Sequence, residues 1–169
     1  MRDVIAGLAA AALLLIAASL ATTLTLYRKR RRRTRDAEHA LGRTIIAEIP
    51  ADDDLALFTE DATCFYYGDR CIGKSQTAAV RILINGSPIA AYESRRANPR
   101  PNVEPTRAED HPEGIARDRW DVAIESVTHP LEAPAVVLVA CGAIRERVSQ
   151  ELARAVFDAV RRALEQRDQ

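Results

Sequence analysis

Aromatic residues make up only 5% of this chain and lysine is almost absent, with Lys29 and Lys74 standing beside twenty-two arginines. The scarcity of aromatics excludes a stacking platform for single-stranded nucleic acid, since no aromatic interleaves with the basic residues. The arginine bias points to a GC-rich bacterial genome and carries no function by itself. Cysteine occurs three times, as Cys64, Cys71 and Cys141, an odd number without a C-x-x-C spacing. That excludes a disulfide framework and a cysteine-based zinc knuckle, and predicts three free thiols, mostly buried, in a reducing compartment. Histidine is equally sparse. His39, His111 and His129 are scattered, and neither Cys64 nor Cys71 has a histidine nearby in sequence to activate its thiolate, so no catalytic triad can be argued.

Charge is lacking altogether from Val4 to Tyr27, and is then concentrated in one sign over the next eight positions. Arg28, Lys29, Arg30, Arg31, Arg32, Arg33 and Arg35 follow the apolar run directly. An uncharged helix of this length rises roughly 36 Å, enough to cross a hydrocarbon core of about 30 Å. The pattern therefore predicts a transmembrane anchor at 1–27. A cleavable signal peptide would carry its positive charge before the apolar core, whereas here Arg2 is offset by Asp3 and the cluster comes after it. The positive-inside rule predicts a single-pass protein of the plasma (inner) membrane, with its amino terminus outside and the rest cytoplasmic. The seven basic residues would rest on the anionic membrane surface. Gly7 and Ala11 are spaced so that two helix backbones approach closely, which allows a homodimer. Residues 28–42 read as a helical juxtamembrane stalk terminated by Gly42.

The overall charge of zero is a cancellation, because residues 36–169 hold sixteen basic and twenty-three acidic side chains, a net of −7. A domain of that sign is a poor partner for nucleic acid. Within residues 43–169, seven extended runs follow one another: 43–49, 55–59, 62–67, 77–84, 88–92, 119–127 and 135–141. Asn85-Gly86 between two apolar runs predicts a type I′ hairpin, because both central residues must take positive φ. Trp120, Val122 and Ile124 alternate, so they share one buried strand face. Residues 95–118 hold four of the eight prolines and read as a long exposed loop. His111 with Glu109, Asp110 and Glu113 in that loop reads as a solvated acidic stretch, and no metal site is predicted. The carboxyl end changes period. Ile144, Val148, Leu152, Val156, Val160 and Leu164 recur every fourth residue, predicting one amphipathic helix over 144–167.

The fold class predicted is α+β: one transmembrane helix, then a mainly antiparallel β domain of about seven strands closed by a carboxy-terminal amphipathic helix. This element order, over residues 43–167, resembles the small bacterial pleckstrin-homology-like domains. The resemblance implies a partly open barrel that binds peptides, proteins or lipids without catalysis. Lipid-binding members carry basic residues in the first hairpin loop, where this chain has Asp52, Asp53 and Asp54, so the resemblance favours a protein partner.

One stretch looks like chemistry. Gly68 to Ser75, GDRCIGKS, matches the phosphate-loop pattern G-x-x-x-x-G-K-[ST]. In such a loop Gly68 and Gly73 bring backbone N–H groups to phosphates, Lys74 reaches the β and γ phosphates, and Ser75 holds magnesium. The pattern needs a helix after it, and only nine residues separate it from the Asn85-Gly86 turn. The function predicted is therefore a non-enzymatic, membrane-anchored protein-binding or scaffold module without cofactor, whose partner is a membrane-associated protein. A membrane-anchored nucleotide-binding protein using Gly68, Gly73, Lys74 and Ser75 is the alternative. Helix at 76–84 would favour that alternative and strand would disfavour it.

Overall fold

The computed structural model describes residues 2–50, 55–96, 119–127 and 135–169. Two compact units divide the chain, Met1–Leu41 and Gly42–Gln169.

The first unit is one helix, α1 (Arg2–Ala40), built from alanine, leucine and arginine, all strong helix formers. Its hydroxyl side chains turn back onto the helix: Thr22 Oγ1 donates to the Ala18 carbonyl at 2.7 Å and Thr25 Oγ1 to that of Ala21 at 2.7 Å. Among the described residues, no helix is long and apolar enough to cross a membrane. This corrects the expected transmembrane anchor, and with it the single-pass inner-membrane placement and orientation. Arg28 to Arg33 continue the helix as an exposed basic stretch, and Arg35 is half-buried. Gly7 and Ala11 lie where side chains are not described.

The second unit is α+β, with eight strands in two antiparallel four-stranded sheets and a closing helix. The first sheet is a meander of β1 (Thr44–Pro50), β2 (Leu55–Glu60), β3 (Cys64–Tyr67) and β4 (Arg70–Gly73). The second holds β5 (Thr77–Ile84), β6 (Ser87–Glu93), β7 (Arg119–Ser126) and β8 (Ala135–Ala143) in the order β6-β5-β7-β8. The expectation of about seven strands in one partly open barrel is thereby corrected. The additional strand, β4, lies inside GDRCIGKS. Gly68-Asp69 is a two-residue hairpin turn whose first residue has φ 57°, and it sets Tyr67 against Arg70 and Phe65 against Ile72. The other short hairpin has Asn85 at φ 51° and Gly86 at φ 80°, as a type I′ turn requires.

Helix α2 (Arg147–Asp168) buries Ala153, Val156, Phe157, Val160 and Leu164 on the sheets. Val148, expected on that stripe, is 61% exposed. A strict four-residue repeat drifts about 40° per step around a helix of 3.6 residues per turn, so the run leaves the buried face at its amino end. The core joins both sheets to α2 through Ile49, Phe58, Phe65, Val80, Val122 and Val139, with the Phe58 and Phe65 rings stacked at 5.7 Å. Trp120 belongs to this core and its indole N–H donates to the Ile144 carbonyl at 3.1 Å, satisfying the one polar group it buries.

Candidate functional site

The phosphate-loop motif folds as a hairpin and the turn that follows it. Gly68 is exposed in the β3–β4 turn, Gly73 ends β4, and Ser75 is exposed ahead of β5. Strand, not helix, occupies Thr77–Ile84, so no helix amino terminus stands behind the loop to hold an anion. Two backbone N–H groups at the end of the loop are already used: Lys74 donates to the Thr63 carbonyl at 2.8 Å and Gln76 to that of Gly73 at 3.0 Å. Lys74 is half-buried. Its ammonium pairs with Glu60 at 2.8 Å, donates to the Asp61 carbonyl at 2.6 Å and lies over the Phe65 ring. The Lys74 ammonium and N–H, two of the groups that a phosphate would require, thus already have protein partners.

From the other side, Arg167 in the last turn of α2 pins the same turn. Its Nη1 donates to the carbonyls of Lys74, Ser75 and Thr77 at 3.0, 2.9 and 2.8 Å, while Nη2 donates to Ser94 Oγ at 2.5 Å. Asp168 accepts from the Ser94 hydroxyl and the Arg95 N–H, both at 2.8 Å. Desolvation pushes the Asp168 carboxyl up, but those two donors and the Arg167 charge outweigh it and leave its pKa lowered. The motif is a structural junction.

On the outer side of the β3–β4 hairpin, opposite buried Phe65 and Ile72, stand Cys64, Tyr66 and Cys71. Cys71 Sγ donates to Cys64 Sγ at 2.9 Å. Asp61 accepts from the Thr63 and Cys64 N–H groups and from the Tyr66 hydroxyl, each at 2.7 Å. The Tyr66 hydroxyl above all, with those N–H groups, holds the Asp61 carboxyl well below the usual carboxylate range. In return Asp61 pushes the Tyr66 phenol up to about 12. The expected burial of the thiols needs correction: only Cys141 is buried, and desolvation pushes it up to about 12, whereas Cys64 is half-buried and Cys71 exposed. The pairing was legible only if Gly68-Asp69 was read as a hairpin turn, which puts the two cysteines diagonally across the ladder.

The second surface is β8, at the edge of its sheet. No charge occurs from Ala135 to Ala143. Val137, Val139 and Cys141 enter the core, while Val136 and Leu138 face away from it, 47% and 48% exposed. Among the described residues β7 is the only ladder partner of β8. The Ala140 N–H points outward, donating to the Tyr67 hydroxyl. The two-residue period puts the N–H and C=O groups of Leu138 and Val136 on that same outward side. Beside these residues on the sheet face, Arg81 pairs with Glu125 and, at 3.0 Å, with Glu93.

The remaining expectations fall elsewhere. His39 sits on α1; Asp52 to Asp54, His111 and its acidic neighbours, and His129 lie outside the described residues. Among the described residues no three His, Cys, Asp or Glu side chains are grouped to hold a metal ion. No family model, curated protein or solved structure matches this chain.

Proposed function

We propose that residues 43–169 form a protein-binding module that takes up an extended segment of a partner protein along β8 by strand addition. The observation that carries it is the uncharged edge strand β8, whose first half shows Val136 and Leu138 half exposed, while its outward Ala140 N–H is taken by Tyr67 and β1 lies against part of the strand. Sheet edges are ordinarily blunted by charge, proline or shortness, and an unblunted one is a template for a further strand. In strand addition the main-chain hydrogen bonds supply affinity and the alternate side chains supply specificity. The partner segment accordingly alternates apolar residues against Val136 and Leu138. Basic flanks suit the net charge of −7 over residues 36–169. Strands followed by one closing helix are in keeping with the pleckstrin-homology-like resemblance, which implies the same role.

The test places a photo-activated crosslinking residue at position 138 of the full chain in cells, with position 70 as control. A single adduct formed from 138 and lost on Val136→Lys supports the reading. Equal adducts from both positions, or none from 138, overturn it.

A further inference from the structure

Cysteines separated by six residues rarely meet, and here a two-residue turn folds the chain so that they do. Tyr66 stands opposite Cys71 and Cys64 opposite Gly73, so Cys64 and Cys71 share one face of the β3–β4 ladder, diagonally placed. Their sulfurs lie 2.9 Å apart, and closing to a bonded distance of about 2.05 Å moves them by less than about 1 Å. The face they occupy is reachable: Cys71 is exposed and Cys64 half-buried. Neither sulfur is needed by the core, which takes Phe65 and Ile72 from the other face of the same hairpin. Two thiols alone make a poor metal site, and no third His, Cys, Asp or Glu joins them among the described residues.

We propose that Cys64 and Cys71 are a dithiol site that small-molecule disulfides convert, reversibly, into an intramolecular disulfide across the β3–β4 hairpin. The exposed Cys71 gives its proton to solvent, and its sulfur attacks one sulfur of the small disulfide. The S–S bond of the reagent breaks and the first small thiolate leaves, taking up a proton. Cys64, having lost its proton in turn, attacks the Cys71 sulfur of the mixed disulfide, and the second small thiolate leaves. The two protein sulfurs are oxidised by two electrons in total and the reagent is reduced to two thiols. Cys141, buried at the sheet–helix core, takes no part.

The full chain, reduced and then exposed to oxidised glutathione, tests this by mass spectrometry of alkylated peptides. The expected product joins Cys64 to Cys71, retains no glutathione, leaves Cys141 alkylatable only after unfolding, and reverts with a dithiol reductant. Closing this short ring raises the thermal midpoint by roughly 5 °C. Cys64→Ser accumulates a glutathione adduct on Cys71, because the resolving sulfur is gone. A stable adduct on Cys71 of the unaltered protein, a crosslink between two chains, or no reaction overturns the proposal.

Discussion

Arg167 donates from Nη1 to the backbone carbonyl of Lys74 at 3.0 Å, across ninety-three positions of sequence. The same nitrogen reaches the Ser75 and Thr77 carbonyls, so one guanidinium ties the end of α2 to the turn between the two sheets. The turn that closes the phosphate-loop motif is thereby held as a joint.

Replacing Arg167 by methionine keeps much of the apolar stem and removes every donor. Three carbonyls and the Ser94 hydroxyl then lose a charged partner. The expected loss is about 2–4 kcal/mol in urea unfolding, with Arg167→Lys restoring less than half, since an ammonium cannot reproduce the planar fork.

Gly142 has φ 112°, and a Cβ there would meet Ser149 Oγ at 2.5 Å. Both the backbone conformation and the approach of β8 to the first turns of α2 therefore require glycine. Gly142→Ala is expected to cost about 2–3 kcal/mol. Adding Ser149→Ala should recover the steric part and leave the backbone part, which a double-mutant comparison by chemical unfolding resolves.

Asp61 is held below the usual carboxylate range first by the Tyr66 hydroxyl and then by the Cys64 and Thr63 N–H groups. A depressed folded-state pKa gives stability that is fully present above the unfolded carboxylate value, about pH 4, and is lost as pH falls through the folded value. The stability difference between the unaltered protein and Asp61→Asn should be constant from pH 7 to about pH 5 and shrink below about pH 4. Unfolding curves across that range check it, and a difference that grows on acidification would contradict the assignment.

Local signals of the second unit were readable because they depend on neighbours in sequence. Asn85-Gly86 announces its turn through the φ values only such residues tolerate, and Trp120, Val122 and Ile124 announce one strand face through their alternation. Strand β4 was hidden because GDRCIGKS fits both a phosphate loop and a hairpin, and residue identity alone does not separate them. What separates them is the strand at Thr77–Ile84, Glu60 beside Lys74, and Arg167 behind it. The last two lie far away in sequence and leave no local pattern. The apolar run was read by length and lack of charge, whereas among the described residues no helix is long and apolar enough to cross a membrane. The Cys64–Cys71 contact follows from the register of β3 and β4, and so was invisible while β4 was not read as a strand.

The central claim is that the edge of β8 receives another strand, and substitution of Leu138 addresses it most directly. Leu138→Lys places a charge on a half-exposed site, so folding stability should change by no more than about 0.5 kcal/mol. Crosslinking from position 136 of the full chain should give one partner adduct in the unaltered protein and none in Leu138→Lys. Sedimentation of both forms distinguishes a separate partner from a second copy of the chain. Loss of the adduct at unchanged thermal midpoint is the result predicted; an adduct of equal yield in Leu138→Lys would contradict the account.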